Sequence, residues 1–425
     1  MNSKPRLISA GMWIPYMLVA SCFAWWGFAN CITDPLVKVF KDIYNDLSHT
    51  ESALIQFAFY AAYFCLAIPG GLINRKFSYK HGILSGLGIS MVGCFLFYPA
   101  SLSNNFYTFL IAFYVLASGL AVLETAASPY ILSLGAAETA TQRLNLAGAF
   151  VPTGSIVGIL ISKYFVLERL ELLGTQSNDL SSRQLQAEQL SIVIMPYVLA
   201  GFVLVLVWLL VLSVRIQKPS DLVASKSDKV DFIPAVKRLL GNCNYLFAVV
   251  AQFFYVGVQI SVWTFTIHYV TEQLGIKDSE ALNYQTAALV AFMLARFICT
   301  GLMTFIRPST LLLVMALAGV GCCLVVIFVG GAVGVYALVG ISACMSLMFP
   351  TIFGLGTKGL GEDIKFGSSG LIMAILGGAL IPLFQAGLVD VANVNYSYAV
   401  PMVCFLVIAC FALFSHRIPA SEPTT

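Results

Sequence analysis

Residues 128–135 read SPYILSLG, and residues 349–356 read FPTIFGLG. The two octapeptides share Pro, Ile, Leu and Gly at the same four places, and each closes a long apolar run, about 105–134 in one case and 331–357 in the other. A hydrocarbon layer about 30 Å thick takes about 20 mostly apolar residues per spanning helix. Each octapeptide therefore ends a membrane span, and the recurrence points to a duplicated unit.

Runs of the same kind, separated by Gly, Pro, Asn and charge clusters, extend on both sides. They predict twelve spans, at about 11–37, 52–75, 81–101, 105–134, 143–165, 192–214, 241–271, 281–305, 309–329, 331–357, 366–389 and 395–415. The polar stretch 215–238 divides them into six and six, so the two octapeptides end the fourth span of each half. The expected organisation is a bundle over 1–214, a linker over 215–238 and a second bundle over 239–425. Composition agrees: the 425 residues are 59% apolar and 10% charged, against about 25% charged in soluble domains. The apolar run from Met12 continues into Trp25 and Trp26 with no small-residue cleavage site, and is expected to be the first span and not a signal peptide.

The net charge of +3 calls for no acidic partner and supports no nucleic-acid reading. Position along the chain says more than the total. With both termini inside, sixteen Lys and Arg fall in inner segments and six in outer ones, leaving Arg296 within a span. The positive-inside rule then places both termini in the cytoplasm. The 11 cysteines are scattered through apolar runs without disulfide or zinc spacing and are expected to be small core residues. No nucleotide loop, metal-ligand cluster or nucleophile constellation is present, so no enzyme, cofactor or metal is expected.

A charge at the bilayer centre is unfavourable by about 2.5–3.5 kcal/mol on insertion scales. Asp34 in the first span and Glu124 in the fourth are therefore functional candidates, with Asp390 at a span boundary. Water-poor surroundings favour the neutral form of a carboxylic acid, which is the chemistry proton coupling needs. Arg296, in the eighth span, is open to two roles, a structural cation or a substrate contact. His268, in the seventh, is a second proton group or an ordinary helical histidine. Trp26, Asn30, Gln252, Tyr255, Gln259, Trp263, Asn283 and Tyr284 fall in the first, seventh and eighth spans. Gln252, Tyr255 and Gln259 share one helical stripe. Amides and carboxylates suit sugar hydroxyls, and aromatic rings suit the C–H face of a sugar; helix-to-helix polar contacts are the competing use.

Several segments resemble the L-fucose/proton symporters of the major facilitator superfamily, a family that also holds glucose and galactose carriers. They are ANCITDPL (29–36), FYAAYFCLAIPGGLINRKFSYKHGI (59–83), LETAASPYILSLG (123–135), RLNLAGAF (143–150), AQFFYVGVQISVW (251–263), NYQTAALVAFMLARF (283–297) and FPTIFGLGTKGLGEDIKFGSS (349–369). The resemblance implies an all-α major facilitator fold of twelve transmembrane helices in two six-helix bundles, working as a monomer in a bacterial inner membrane. It implies that Asp34 and Glu124 are the family's two essential acids, Glu124 for the proton and Asp34 mainly for the sugar. Phe349 joins the substrate set, and Gly71 and Arg75 fall in GGLINRK (70–76), which resembles the superfamily's gating loop but has Asn74 where an Asp is usual. Gly148, Val151, Phe349 and Cys31 stand where fucose carriers have Gln, Asn, Tyr and Asn. The implied activity is uptake of a small neutral hexose, deoxyhexose or hexose derivative with a proton. Coupling to sodium is one alternative. Drug/proton antiport is another, since GAFVPTGSIVG (148–158) resembles the fifth-span motif of exporters; a sugar sensor would need a soluble output domain.

Overall fold

The computed structural model describes residues 6–43, 49–103, 105–176, 182–214 and 232–417, which are helical with no strand among them. The first span is the helix Trp13–Ile43. Eleven segments long and apolar enough to cross a membrane follow among the described residues, here the second to twelfth spans: Leu54–Lys76, Tyr79–Ser103, Phe106–Leu132, Ala137–Leu170, Gln184–Ser213, Cys243–Leu274, Glu280–Leu302, Pro308–Phe328, Gly331–Gly356, Gly361–Val391 and Val394–His416. Hydrocarbon offers backbone groups no partner, so a single crossing chain must pair them within its own helix. The outward side chains match that solvent, with Leu102, Phe202, Leu206, Leu317, Phe328 and Phe384 exposed.

Two compact units are distinguished, one formed by 14–127 and 150–218, the other by 1–13, 128–149 and 219–425. Within the first, the third span packs on the sixth, and the first meets the fifth through Gly27 and Gly154. A Cβ on Gly154 would lie 1.8 Å from the Ala24 carbonyl oxygen, and one on Gly27 would lie 2.0 Å from that of Val151. The third and fourth spans approach as closely at Gly86 and Gly93, each with room for a Cβ only 2.4 Å from a backbone nitrogen of the other helix. Small residues of this kind let spans meet where no hydrophobic effect drives them together.

The second unit repeats the scheme six spans later. The ninth span packs on the twelfth and the seventh on the eleventh, the latter at Gly377, whose Cβ would fall 2.0 Å from the Phe253 carbonyl oxygen. The octapeptide match thus extends to helix pairing. This unit also holds residues 128–149: Gln142 Nε2 donates to the Thr300 carbonyl at 3.0 Å, and Asn145 Nδ2 to Thr351 Oγ1 at 3.1 Å. These units follow contacts, whereas the expected division at 215–238 follows the repeat, and 215–231 lie outside the described residues.

Two spans are interrupted. The fifth is helical over Ala140–Gly148 and again over Phe150–Ile161, then passes through a π-helical turn, Ser162–Leu167, into Glu168–Gln176. Gly331–Met345 and Met348–Gly356 are the two parts of the tenth. Both breaks precede a proline, Pro152 and Pro350. A proline lacks the N–H that the carbonyl four residues earlier would accept, so the carbonyls of Gly148 and Ser346 lose their helical partners.

Candidate functional site

In the first unit the site grows from the fourth span. Glu124 lies about two turns before the end of Phe106–Leu132, 8% exposed, and its Oε2 has no hydrogen-bond partner among the described residues. It opens on a narrow pocket lined by Cys22, Phe23, Trp26, Leu120, Leu123 and Ala127. Cys22, Phe23 and Trp26 come from one face of the first span at helical spacing, and Leu120, Leu123 and Ala127 from the fourth on either side of the acid. Fully buried Tyr63, from the second span, lies near Trp26 and Glu124. The pocket therefore joins an acid and an indole in otherwise apolar walls. No salt bridge to Glu124 is present among the described residues. Sequence reasoning misses Tyr63; its signal is a position in the second-span segment 59–83.

Asn30, one turn beyond Trp26, spends its Nδ2 on the Trp26 carbonyl at 2.9 Å. Asp34 falls on the first span, but its side chain lies outside the described residues. Gly71 is buried and Arg75 half-buried near the end of the second span. Between them, Asn74 is fully buried and donates to the Thr125 carbonyl at 3.0 Å. That carbonyl is the one freed by Pro129, the proline of the first octapeptide.

The second unit holds the rest of the candidate set. Gln252, Tyr255 and Gln259 are all buried on the expected stripe of the seventh span. Neither Nε2 nor Oε1 of Gln252 has a partner among the described residues. Both ends of an amide left unpaired in a buried place are unfavourable, and a ligand's hydroxyls would satisfy them. Tyr255 meets Phe349 ring edge to face at 6.2 Å, and Trp263 meets Phe292 at 5.3 Å. Phe292 carries the Arg296 guanidinium over its ring, 4.6 Å from the centroid.

Arg296 is 3% exposed, and its Nε donates to the Ser346 carbonyl and its Nη1 to that of Gly148, both at 2.5 Å. Of the two roles open to it, the geometry supplies the structural one directly. Other candidates are not gathered here. Asn283 is exposed at the start of the eighth span, with Tyr284 half-buried beside it. His268 is exposed and sits 3.5 Å from Glu272 one turn on, so a proton role inside the membrane has no support from its placement. The exporter-like glycines of the fifth span serve packing, as Gly154 does against Ala24.

Known proteins resemble this chain over nearly its full length. A family model for the Major Facilitator Superfamily matches residues 16–375. An L-fucose-proton symporter of Haemophilus influenzae is 39% identical over 433 residues, covering 98% of this chain and 100% of the relative. A glucose/galactose transporter of Brucella abortus is 31% identical, covering 93% and 92%. The crystal structure of the Escherichia coli fucose:proton symporter superposes with a TM-score of 0.86 at 34% identity, covering 96% of this chain and 99% of that one.

Proposed function

The chain belongs to the major facilitator superfamily and, within it, to the L-fucose/proton symporter family, and on that premise we propose that it carries a small neutral sugar across a membrane together with a proton. Buried Glu124, with an unpaired oxygen facing a pocket that Trp26 lines, is the observation that carries the reading. Alternating access requires the site to close and lose water. A bare carboxylate in a dehydrated interior is disfavoured by several kcal/mol, and protonation removes the charge, so loading a proton licenses the passage.

Glu124 is accordingly the proposed proton carrier, with Asp34 working mainly at the sugar and the two titrating as a coupled pair. The proposed sugar contacts are Asp34, Trp26, Asn30 and Glu124 in one unit and Gln252, Tyr255, Gln259, Trp263, Asn283 and Phe349 in the other. Gly71, Arg75 and Arg296 serve structure or gating. Relatives named for fucose and for glucose and galactose bound the substrate to hexoses and their derivatives. Position 148 offers no polar side chain, and a Cβ there would already lie 3.0 Å from Arg296 Nη1. A substrate other than L-fucose fits that loss.

The proposed setting is a bacterial cytoplasmic membrane, with both termini inside, bundles over 1–214 and 239–425 joined by the 215–238 linker, and a monomer as the working unit. Counterflow of a sugar panel in liposomes holding the purified protein, read with a pH-sensitive dye inside, tests the function. Sugar exchange with lumenal acidification driven by a sugar gradient is expected. Exchange that acidifies nothing and requires sodium would replace the proton with sodium. Absence of exchange for every hexose, with uptake of an apolar cation, would replace symport with drug antiport.

A further inference from the structure

Proline distribution explains what the intramembrane arginine does. Pro129 and Pro350 are the shared prolines of the two octapeptides, in the fourth and tenth spans, and Pro152 stands in the fifth. Pro129 orphans the Thr125 carbonyl, which Asn74 of the second span takes up. Pro350 orphans the Ser346 carbonyl, which Arg296 of the eighth span takes up. The second and eighth spans are six apart, as are the fourth and tenth, so Asn74 and Arg296 perform the same repair in the two repeats.

The arginine does more than its counterpart. Pro152 orphans the Gly148 carbonyl at the break in the fifth span, and the Nη1 of the same guanidinium donates to it. One planar fork thus closes the proline breaks of two different spans. Room for this exists because residue 148 is glycine: a Cβ would stand 3.0 Å from Nη1 and 3.4 Å from Pro350 Cγ. Beneath the guanidinium lies Phe292, which Trp263 packs against in turn. Among the described residues no carboxylate forms a salt bridge with it. Carbonyl oxygens and a ring face are its acceptors.

We propose that Arg296 is a positioning residue of the transport cycle, a tie that makes the proline breaks at 148–152 of the fifth span and 346–350 of the tenth bend as one. A helix break with an unpaired carbonyl is a hinge, and a shared donor forbids either hinge to relax without the other. Gln142 and Asn145 hold the segment before the fifth-span break to Thr300 and Thr351 on either side of the arginine's own contacts. Sugar binding does not require the tie; changing conformation with sugar bound does.

The inference rests on sugar transport only for its readout. Wild type, Arg296→Lys, Gly148→Ala and the double variant are purified, checked for thermal stability and monodispersity, and reconstituted. Lysine keeps the charge but cannot span two carbonyls with a rigid fork, and the alanine methyl, 3.0 Å from Nη1, presses on the guanidinium and perturbs its bond to Gly148. Sugar affinity, read by calorimetry, is expected to stay within about twofold of wild type while the maximal counterflow rate falls at least about tenfold in each single variant. The double variant is expected to be no slower than the slower single, since both break one tie. Should Arg296→Lys fail to fold, Gly148→Ala and Phe292→Leu, which removes only the ring under the cation, carry the same comparison. Affinity lost with the maximal rate intact would make Arg296 a substrate contact and overturn the proposal. So would single effects that multiply in the double variant, or rates that do not move. A wild type that exchanges no sugar would instead overturn the functional reading.

Discussion

Glu124→Gln keeps the size of the side chain and holds it uncharged, so it separates the proton from the sugar. Uphill uptake is expected to vanish while exchange at equal sugar concentrations survives, and that exchange is expected to lose the fall with rising pH that ionisation of the acid imposes on wild type. Liposome counterflow across a pH series checks both. Asp34→Asn removes a charged acceptor and is expected to weaken binding, exchange and uptake alike, which calorimetry and counterflow together would record. Asn74 makes the sharper stability test. An aspartate at this position would match the superfamily loop pattern, yet a carboxylate cannot donate to the Thr125 carbonyl. Asn74→Asp is therefore expected to destabilise by about 1–3 kcal/mol, seen as a lower melting temperature in detergent. Glu124 was legible in the sequence as a candidate because a carboxylate in hydrocarbon is rare, and the structure buries it beside a pocket. The Arg296 partners were not: an acceptor carbonyl carries no side-chain signature, and the donor lies 148 residues from Gly148 and 50 from Ser346. What the sequence did hold was the pair of prolines four residues after those carbonyls.

At the scale of the element, glycines sort by what faces them. Gly154→Ala is expected to cost at least about 1–3 kcal/mol, the range for overpacking, because its methyl would meet the Ala24 carbonyl at 1.8 Å and force the first and fifth spans apart. Gly301→Ala, with nothing within 4 Å of its Cβ, is expected to be neutral or stabilising by up to about 1 kcal/mol through helix propensity. Yield of monodisperse protein and melting temperature compare the two. The span ends were well marked in sequence, since an apolar run must begin and end near the hydrocarbon boundary. The interruptions within spans were not: the stretch 148–158 reads as an exporter pattern, and only the neighbouring helix shows that Gly154 serves close approach while Gly148 makes way for a guanidinium.

For the whole molecule, a neutral sugar moving with one proton carries one positive charge inward per cycle. A potential of 100 mV then adds about 2.3 kcal/mol to accumulation, or about 50-fold in the gradient. Imposing a potassium diffusion potential on the liposomes is expected to raise steady-state sugar accordingly, and accumulation indifferent to voltage would exclude one-proton symport. The duplicated architecture was legible from two octapeptides because a repeated proline needs a repeated repair, and the equivalent helix pairs bear the duplication out. Which sugar fits was not legible, because it depends on how a few amides and rings converge, and spacing along a helix does not fix convergence between helices. The repair of the breaks also has a calendar. The first repeat contains both Asn74 and Thr125 and can mend its own break as soon as its spans enter the bilayer. Gly148 emerges from the ribosome 148 residues before the arginine that completes it, so during synthesis the fifth span must wait in the membrane with an open carbonyl. Arg296 in turn enters hydrocarbon as a charge whose acceptors are one already inserted and one still to come. Closing these breaks is then a capture event between early and late helices, which can be completed only once Arg296 and Ser346 have followed Gly148 into the membrane.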